Sequence, residues 1–119
     1  MAEVAKHAGA PFTVLEKKRH GDRDVEIELR DLSGWKGRSA VLVDDIISSG
    51  RTMIETVRLL RNHGFDRPAC IAVHGLFADC SDEVLAREGA VVITANSVPH
   101  PSNRIDVSTL LRSAVRELL

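Results

Sequence analysis

The segment "AVLVDDIISSGRT" at positions 40–52 places two adjacent carboxylates before a short run of small residues. Small residues between a strand and a helix leave the backbone N–H groups accessible, and the start of the helix adds a partial positive charge. The segment therefore predicts an anion site suited to a phosphate group. Its candidate ligand-binding residues are Asp44, Asp45, Ser48, Ser49, Gly50 and Thr52.

The two acids would repel a phosphate, so they must face another part of the ligand, such as vicinal hydroxyls, or a bound metal. A sugar phosphate carries both kinds of group. The chain has neither GxxxxGK[ST] nor GxGxxG, which excludes the usual P-loop and the dinucleotide fingerprint. A plain helix N-terminus with exposed acids is the alternative, but capping needs only one such residue.

Composition narrows the class of protein. With 119 residues, 44% hydrophobic content and a net charge of −1, the chain fits one globular domain over residues 1–119. A clustered basic excess is absent, so we expect no nucleic-acid partner. The sequence has neither a membrane-length apolar run nor a secretory signal, and Cys70 and Cys80 lack metal-ligand spacing. We therefore expect reduced thiols and a cytoplasmic protein.

Strand-like and helix-like patterns alternate along the chain and predict an α/β fold, a mostly parallel sheet flanked by helices. Ligands of such sheets bind beyond the carboxyl ends of the strands, where the 44–52 segment lies. The predicted strands are 12–16, 25–31, 40–44 (buried on both faces), 69–75 and 90–95, with a charged loop at 17–24 and a hairpin after the first strand. The predicted helices cover 4–8, 52–62, 81–89 (capped by Ser81) and 107–118, the last with its apolar stripe packed in the core.

The segment "VLVDDIISSGRT" resembles the phosphoribosyl-pyrophosphate motif of type I phosphoribosyltransferases and ribose-phosphate diphosphokinases. Flanking segments resemble the diphosphokinases in the same order along the chain: "GAPFTVLEKKR", "ACIAVHGLFA" and "VVITANSVPHPS" with "IDVSTLLRSAV". This collinearity favours the diphosphokinases over base-transferring enzymes and implies a type I phosphoribosyltransferase-like fold.

The resemblance implies transfer of the diphosphoryl group of Mg-ATP to the 1-hydroxyl of ribose 5-phosphate. Lys17 and Arg19 match the cations of the family's catalytic loop, which stabilise charge on the transferring group; a solvated charged loop is the alternative. Asp44 and Asp45 would hold the ribose hydroxyls, with Mg²⁺ bound through water, and residues 48–52 would wrap the 5-phosphate. Family loops often have a small residue where Arg51 stands, so Arg51 either adds a phosphate contact or points to solvent. For His74 and His100 we expect hydrogen-bonded structural roles.

Chains of this family are more than twice as long and contain two similar halves, and the present sequence resembles the C-terminal one. We therefore expect the N-terminal half of the same enzyme and further copies of the chain as partners. We also expect the 119 residues alone to bind sugar phosphate weakly and turn over little ATP. Two alternatives stay open: a nucleobase phosphoribosyltransferase, which would need a base-recognition segment, and a non-catalytic phosphoribosyl-pyrophosphate sensor, which would not need Lys17 and Arg19.

Overall fold

The computed structural model describes residues 2–19, 25–28 and 32–119, without the side chains of 16–19, 25–28 and Ser33. Residues 20–24 of the predicted charged loop and 29–31 of the predicted second strand lie outside this description. The helices are α1 (Ala2–Ala8), α2 (Arg51–Asn62), α3 (Ser81–Arg87) and α4 (Ser108–Leu118). The strands are β1 (Glu16–Arg19), β2 (Val25–Glu28), β3 (Val41–Ile47), β4 (Ala69–Gly75), β5 (Val91–Ala95) and β6 (Asn103–Ile105).

The main sheet has the strand order β3-β4-β5-β6, and all of its neighbouring pairs are parallel. The helices α2 and α3 connect β3 to β4 and β4 to β5, as parallel pairing requires. A separate antiparallel hairpin joins β1 to β2. The predicted α/β class, with its mostly parallel sheet, flanking helices and hairpin, is confirmed.

The core lies between the main sheet and the helices α2 and α3. Helix α2 contributes Met53 and Val57 to one buried face, at the spacing of an amphipathic helix. These side chains pack with Ile47, Cys70 and Leu85 from the neighbouring elements. The Arg58 Nε donates to Glu88 Oε1 at 2.8 Å and so links α2 to the end of α3. This packing fixes the start of α2 against the sheet.

Two strand predictions were wrong. Residues 11–15 form no strand, and Phe12 and Val14 are 55% and 72% exposed, because a β-rich sequence needs a partner strand to pair with. Strand β3 was predicted to be buried on both faces. It instead lies at the edge of the described sheet, where Val41 and Ile46 are exposed and only Ile47 is buried.

The C-terminal region also departs from prediction. Strand β6 follows a segment predicted as loop, and its short length explains why no period-2 pattern announced it. Helix α4 forms where predicted, but its stripe is not core: Leu110, Leu111 and Leu118 are 73%, 60% and 87% exposed. The period of apolar residues specifies a helix without specifying what covers it. Within the described residues, no helix is both long enough and apolar enough to cross a bilayer.

Candidate functional site

The two acids lie near the carboxyl end of β3, which continues to Ile47 instead of ending at Asp44 as predicted. The parallel register with β4 pairs Asp44 with Ala72 and Ile46 with His74, so the two acids lie where β3 is still paired with its neighbour. Asp44 and Asp45 are both exposed. They therefore lie at the carboxyl ends of the strands, where ligands of parallel α/β folds bind.

Hydrogen bonds hold the two carboxylates beside each other. The Asp45 N–H donates to Asp44 Oδ1 at 2.8 Å, and the Ile46 N–H donates to Asp45 Oδ1 at 2.8 Å. The pKa of Asp45 is lowered, first by a side-chain hydrogen bond with Asp44 and then by the Ile46 N–H. Asp45 is therefore ionised at neutral pH and offers acceptor oxygens to hydroxyl groups of a ligand.

Gly50 makes the turn from β3 into α2. It is the N-cap residue of α2 in the left-handed conformation, with φ +66°, and its carbonyl accepts the Ile54 N–H at 2.8 Å. A Cβ at this position would lie 2.9 Å from the Cβ of Ser81, closer than side-chain carbons approach. Glycine is required here both by the backbone conformation and by the space. Around it, Ser48 and Arg51 are exposed, and Ser49 and Thr52 are half-buried.

The segment after β4, residues 76–81, forms hydrogen bonds with this turn, and we call it the anchor segment. The Leu76 and Phe77 N–H groups both donate to the Ile47 carbonyl, at 2.9 and 3.2 Å. The Ser81 Oγ donates to the Ser48 carbonyl at 2.9 Å. Ser81 was predicted to cap α3, but it is the first residue of α3 and is 1% exposed. No sequence signal linked Ser81 to a turn 33 positions away.

His74 and His100 have hydrogen-bond partners of the structural kind that was expected. The His74 Nδ1 lies 2.6 Å from Ser97 Oγ. The His100 Nε2 lies 3.0 Å from Asp82 Oδ2, and its ring lies 4.2 Å from the ring of Phe77 between centroids. The hydrogen bond with His100 lowers the pKa of Asp82. His100 thereby ties the loop before β6 to α3 and to the anchor segment.

The two candidate catalytic cations are not on a loop as predicted. Lys17 and Arg19 belong to β1, where their backbones pair with Ile27 and Val25 of β2. Their side chains lie outside the described part of the structure, so the site built here consists of the β3 acids and the turn that follows them.

The site offers two carboxylates as donors for a metal. Within the described residues, no three His, Cys, Asp or Glu side chains converge as a metal site would require. Two exposed carboxylates suit Mg²⁺ in another way, because this ion keeps several waters and takes one or two carboxylates together with substrate phosphates. Asp44 and Asp45 fit such a water-mediated role.

The chain is similar in sequence to a known protein family. The model of the phosphoribosyl transferase domain matches residues 1–110. The chain belongs to this family. Among curated phosphoribosyl transferase relatives, it is 35% identical to a ribose-phosphate pyrophosphokinase of Methanopyrus kandleri and 32% identical to one of Sulfurisphaera tokodaii. The alignments cover 98% and 97% of this chain and 40% of each relative.

A solved structure shares the fold. The phosphoribosylpyrophosphate synthetase of Mycobacterium smegmatis superposes with a TM-score of 0.72 at 28% identity, covering 98% of this chain and 39% of that one. The resemblance inferred from the sequence motifs is therefore confirmed. The chain spans about two fifths of the length of the relatives that it matches.

Proposed function

We propose that this chain is the ribose 5-phosphate-binding, C-terminal half of a ribose-phosphate diphosphokinase, forming a single domain over residues 1–119. The 1-hydroxyl oxygen of ribose 5-phosphate attacks the β-phosphorus of ATP. The bond from that phosphorus to the α,β-bridging oxygen breaks, AMP leaves, and the hydroxyl proton passes to solvent. The relatives named ribose-phosphate pyrophosphokinase, which align with nearly all of the chain, support this reaction.

One observation carries the proposal: an anchored turn of small residues follows two exposed, neighbouring carboxylates, with only Ile46 and Ile47 between them. The backbone N–H groups and hydroxyls of Ser48, Ser49, Gly50, Arg51 and Thr52 bind the 5-phosphate. Asp44 and Asp45 accept hydrogen bonds from the ribose hydroxyls, which separates the carboxylates from the phosphate by the length of the pentose. The opposite arrangement would bring like charges together.

The remaining components come from the family resemblance. Mg²⁺ supplies charge neutralisation for the ATP phosphates, and Asp44 and Asp45 hold it through water. Lys17 and Arg19 stabilise the charge on the diphosphoryl group. The N-terminal half of the same enzyme contributes to the ATP site, further copies complete a homo-oligomer, and the protein works in the cytoplasm.

Calorimetric titration of ribose 5-phosphate into the 119-residue chain tests the binding role. We expect weak but saturable binding that Asp45→Asn reduces about tenfold, because a neutral amide loses charge-assisted hydrogen bonds to hydroxyls. Asp66→Asn is the matched control, since Asp66 is an exposed acid beyond the end of α2. Equal affinity in all three proteins would contradict the assignment of Asp45.

Phosphorus NMR with ATP, ribose 5-phosphate and Mg²⁺ tests the reaction, with the N-terminal half of a relative added in trans. New AMP and phosphoribosyl pyrophosphate signals support the diphosphokinase. Binding without turnover in this mixture would instead support a non-catalytic sensor of phosphoribosyl pyrophosphate. Signals that require a nucleobase would support a phosphoribosyltransferase.

A further inference from the structure

We propose that Ser81 is a positioning residue for the turn at residues 48–52, which we call the phosphate turn. The Ser81 hydroxyl sets the orientation of the Ser48–Ser49 peptide so that the Ser49 N–H faces the ligand. This inference rests on the proposed function and adds to it a residue outside the sequence motif. Ser81 lies at the start of α3, and its Oγ donates to the Ser48 carbonyl at 2.9 Å.

The geometry of the peptide group relates the Ser48 carbonyl to the Ser49 N–H. In a trans peptide the C=O and the following N–H point in opposite directions. Because the Ser48 carbonyl is drawn towards Ser81, the Ser49 N–H points away from α3. The preceding peptide, Ile47–Ser48, has the same orientation, because the Leu76 and Phe77 N–H groups donate to the Ile47 carbonyl at 2.9 and 3.2 Å. The Ser48 N–H is therefore also directed away from the anchor segment.

Two successive N–H groups on the same side of a turn form a concave anion-binding surface. Successive peptides of an extended strand alternate in direction, so the turn departs from strand geometry, and contacts that hold both carbonyls on one side stabilise this departure. The anchor segment supplies those contacts, two from its backbone and one from the side chain of Ser81. The side-chain contact is the one that a substitution can remove.

Burial explains why Ser81 suits this role. The residue is 1% exposed, and its Cβ would lie 2.9 Å from a Cβ at Gly50, so it fills the space beneath the turn. A larger side chain would displace Gly50, whereas alanine would fill nearly the same volume without the donor. Without the Ser81 hydroxyl, the Ser48 carbonyl turns to another partner, such as solvent, and the peptide rotates.

The substitution Ser81→Ala (S81A) removes the hydrogen bond from the Ser81 hydroxyl to the Ser48 carbonyl. The matched control is Thr94→Val. Thr94 is a fully buried hydroxyl on β5 that bonds to Ser102 and Asn103 instead of to the turn. S81A loses one side-chain hydrogen bond and Thr94→Val loses two, and both variants are expected to lose stability. Only S81A is expected to change the phosphate turn.

The test is calorimetric titration of the 119-residue chain with ribose 5-phosphate, at a temperature well below the unfolding midpoint of every variant. We expect S81A to raise the dissociation constant about three- to tenfold, the effect of one net hydrogen bond, and Thr94→Val to leave it unchanged. Unchanged affinity in S81A, or equal weakening in both variants, would overturn the positioning role alone. Absence of binding by the wild-type chain would overturn the proposed function and this inference together.

Discussion

The close approach of Gly50 to Ser81 leads to a prediction of measurable size. Gly50→Ala adds a Cβ in two unfavourable circumstances: the backbone has φ +66°, and the new carbon meets the Ser81 Cβ at 2.9 Å. A left-handed conformation costs an L-residue about 1–2 kcal/mol, and overpacking at a buried contact costs about 1–3 kcal/mol. Reduced entropy of the unfolded chain offsets about 0.4–1 kcal/mol of this cost. We expect a net loss of about 1–5 kcal/mol in the free energy of unfolding.

The two contributions can be separated with a double-mutant cycle. Ser81→Gly removes the carbon that the new methyl group would meet, while the strain at φ +66° remains. The loss caused by Gly50→Ala should therefore be smaller by about 1–3 kcal/mol when residue 81 is glycine. Urea denaturation followed by far-ultraviolet circular dichroism gives all four stabilities.

Gly64→Ala is the matched control for the backbone contribution. Gly64 has φ +92° at the end of α2, and a Cβ there would meet nothing within 4 Å. It should lose the conformational part alone, with no dependence on residue 81. A stability of Gly50→Ala equal to that of the wild type, or a coupling energy near zero, would refute the packing of α3 against the turn.

Three further predictions concern the surface and the titrating groups. Cys70 is fully buried and burial raises the pKa of its thiol to about 12, whereas Cys80 is exposed, so a thiol reagent at pH 8 should label Cys80 in the native chain and both residues in urea. Leu111→Ser on the exposed face of α4 should change the free energy of unfolding by less than about 0.5 kcal/mol but reduce self-association in sedimentation, and strong destabilisation would contradict an exposed α4. The ratio of the ribose 5-phosphate affinities of the wild type and Asp45→Asn should be constant from pH 7 down to about 5 and fall only as pH drops through the lowered pKa of Asp45, because the carboxylate is the binding form. Calorimetry of both proteins across that range checks the sign, and the ratio cancels the titration of the sugar phosphate itself, whose second pKa is about 6.

The chemistry-bearing turn and the alternation of elements could be predicted from the sequence because both are local. Helical periodicity identified α2, and the apolar run "ACIAVHG" coincides with β4, Ala69–Gly75. The position of β3 at the sheet edge could not be predicted, because a continuous apolar strand looks the same whether one or two strands flank it. The role of Ser81 depends on a contact between residues 33 positions apart, which no spacing rule reveals.

The predicted strand 12–16 shows the limit of propensity. Phe12 and Val14 favour strands, but β structure requires a partner, and the chain pairs only from Glu16 onwards. Helix α4 shows the corresponding limit for helices. Its stripe of apolar residues specifies local conformation, while its exposure depends on which surfaces lie nearby.

The edge position of β3 gives its acids a second consequence. An edge strand with exposed Val41 and Ile46 is a template onto which another chain's strand can add, the first step towards insoluble assemblies. Negative charge on such a strand opposes this addition, because a second copy would bring its own acids into the same register. Neutralising Asp44 and Asp45 together would thus shorten the time to precipitation on gentle heating, so that the carboxylates act as gatekeepers of solubility as well as acceptors of sugar hydroxyls.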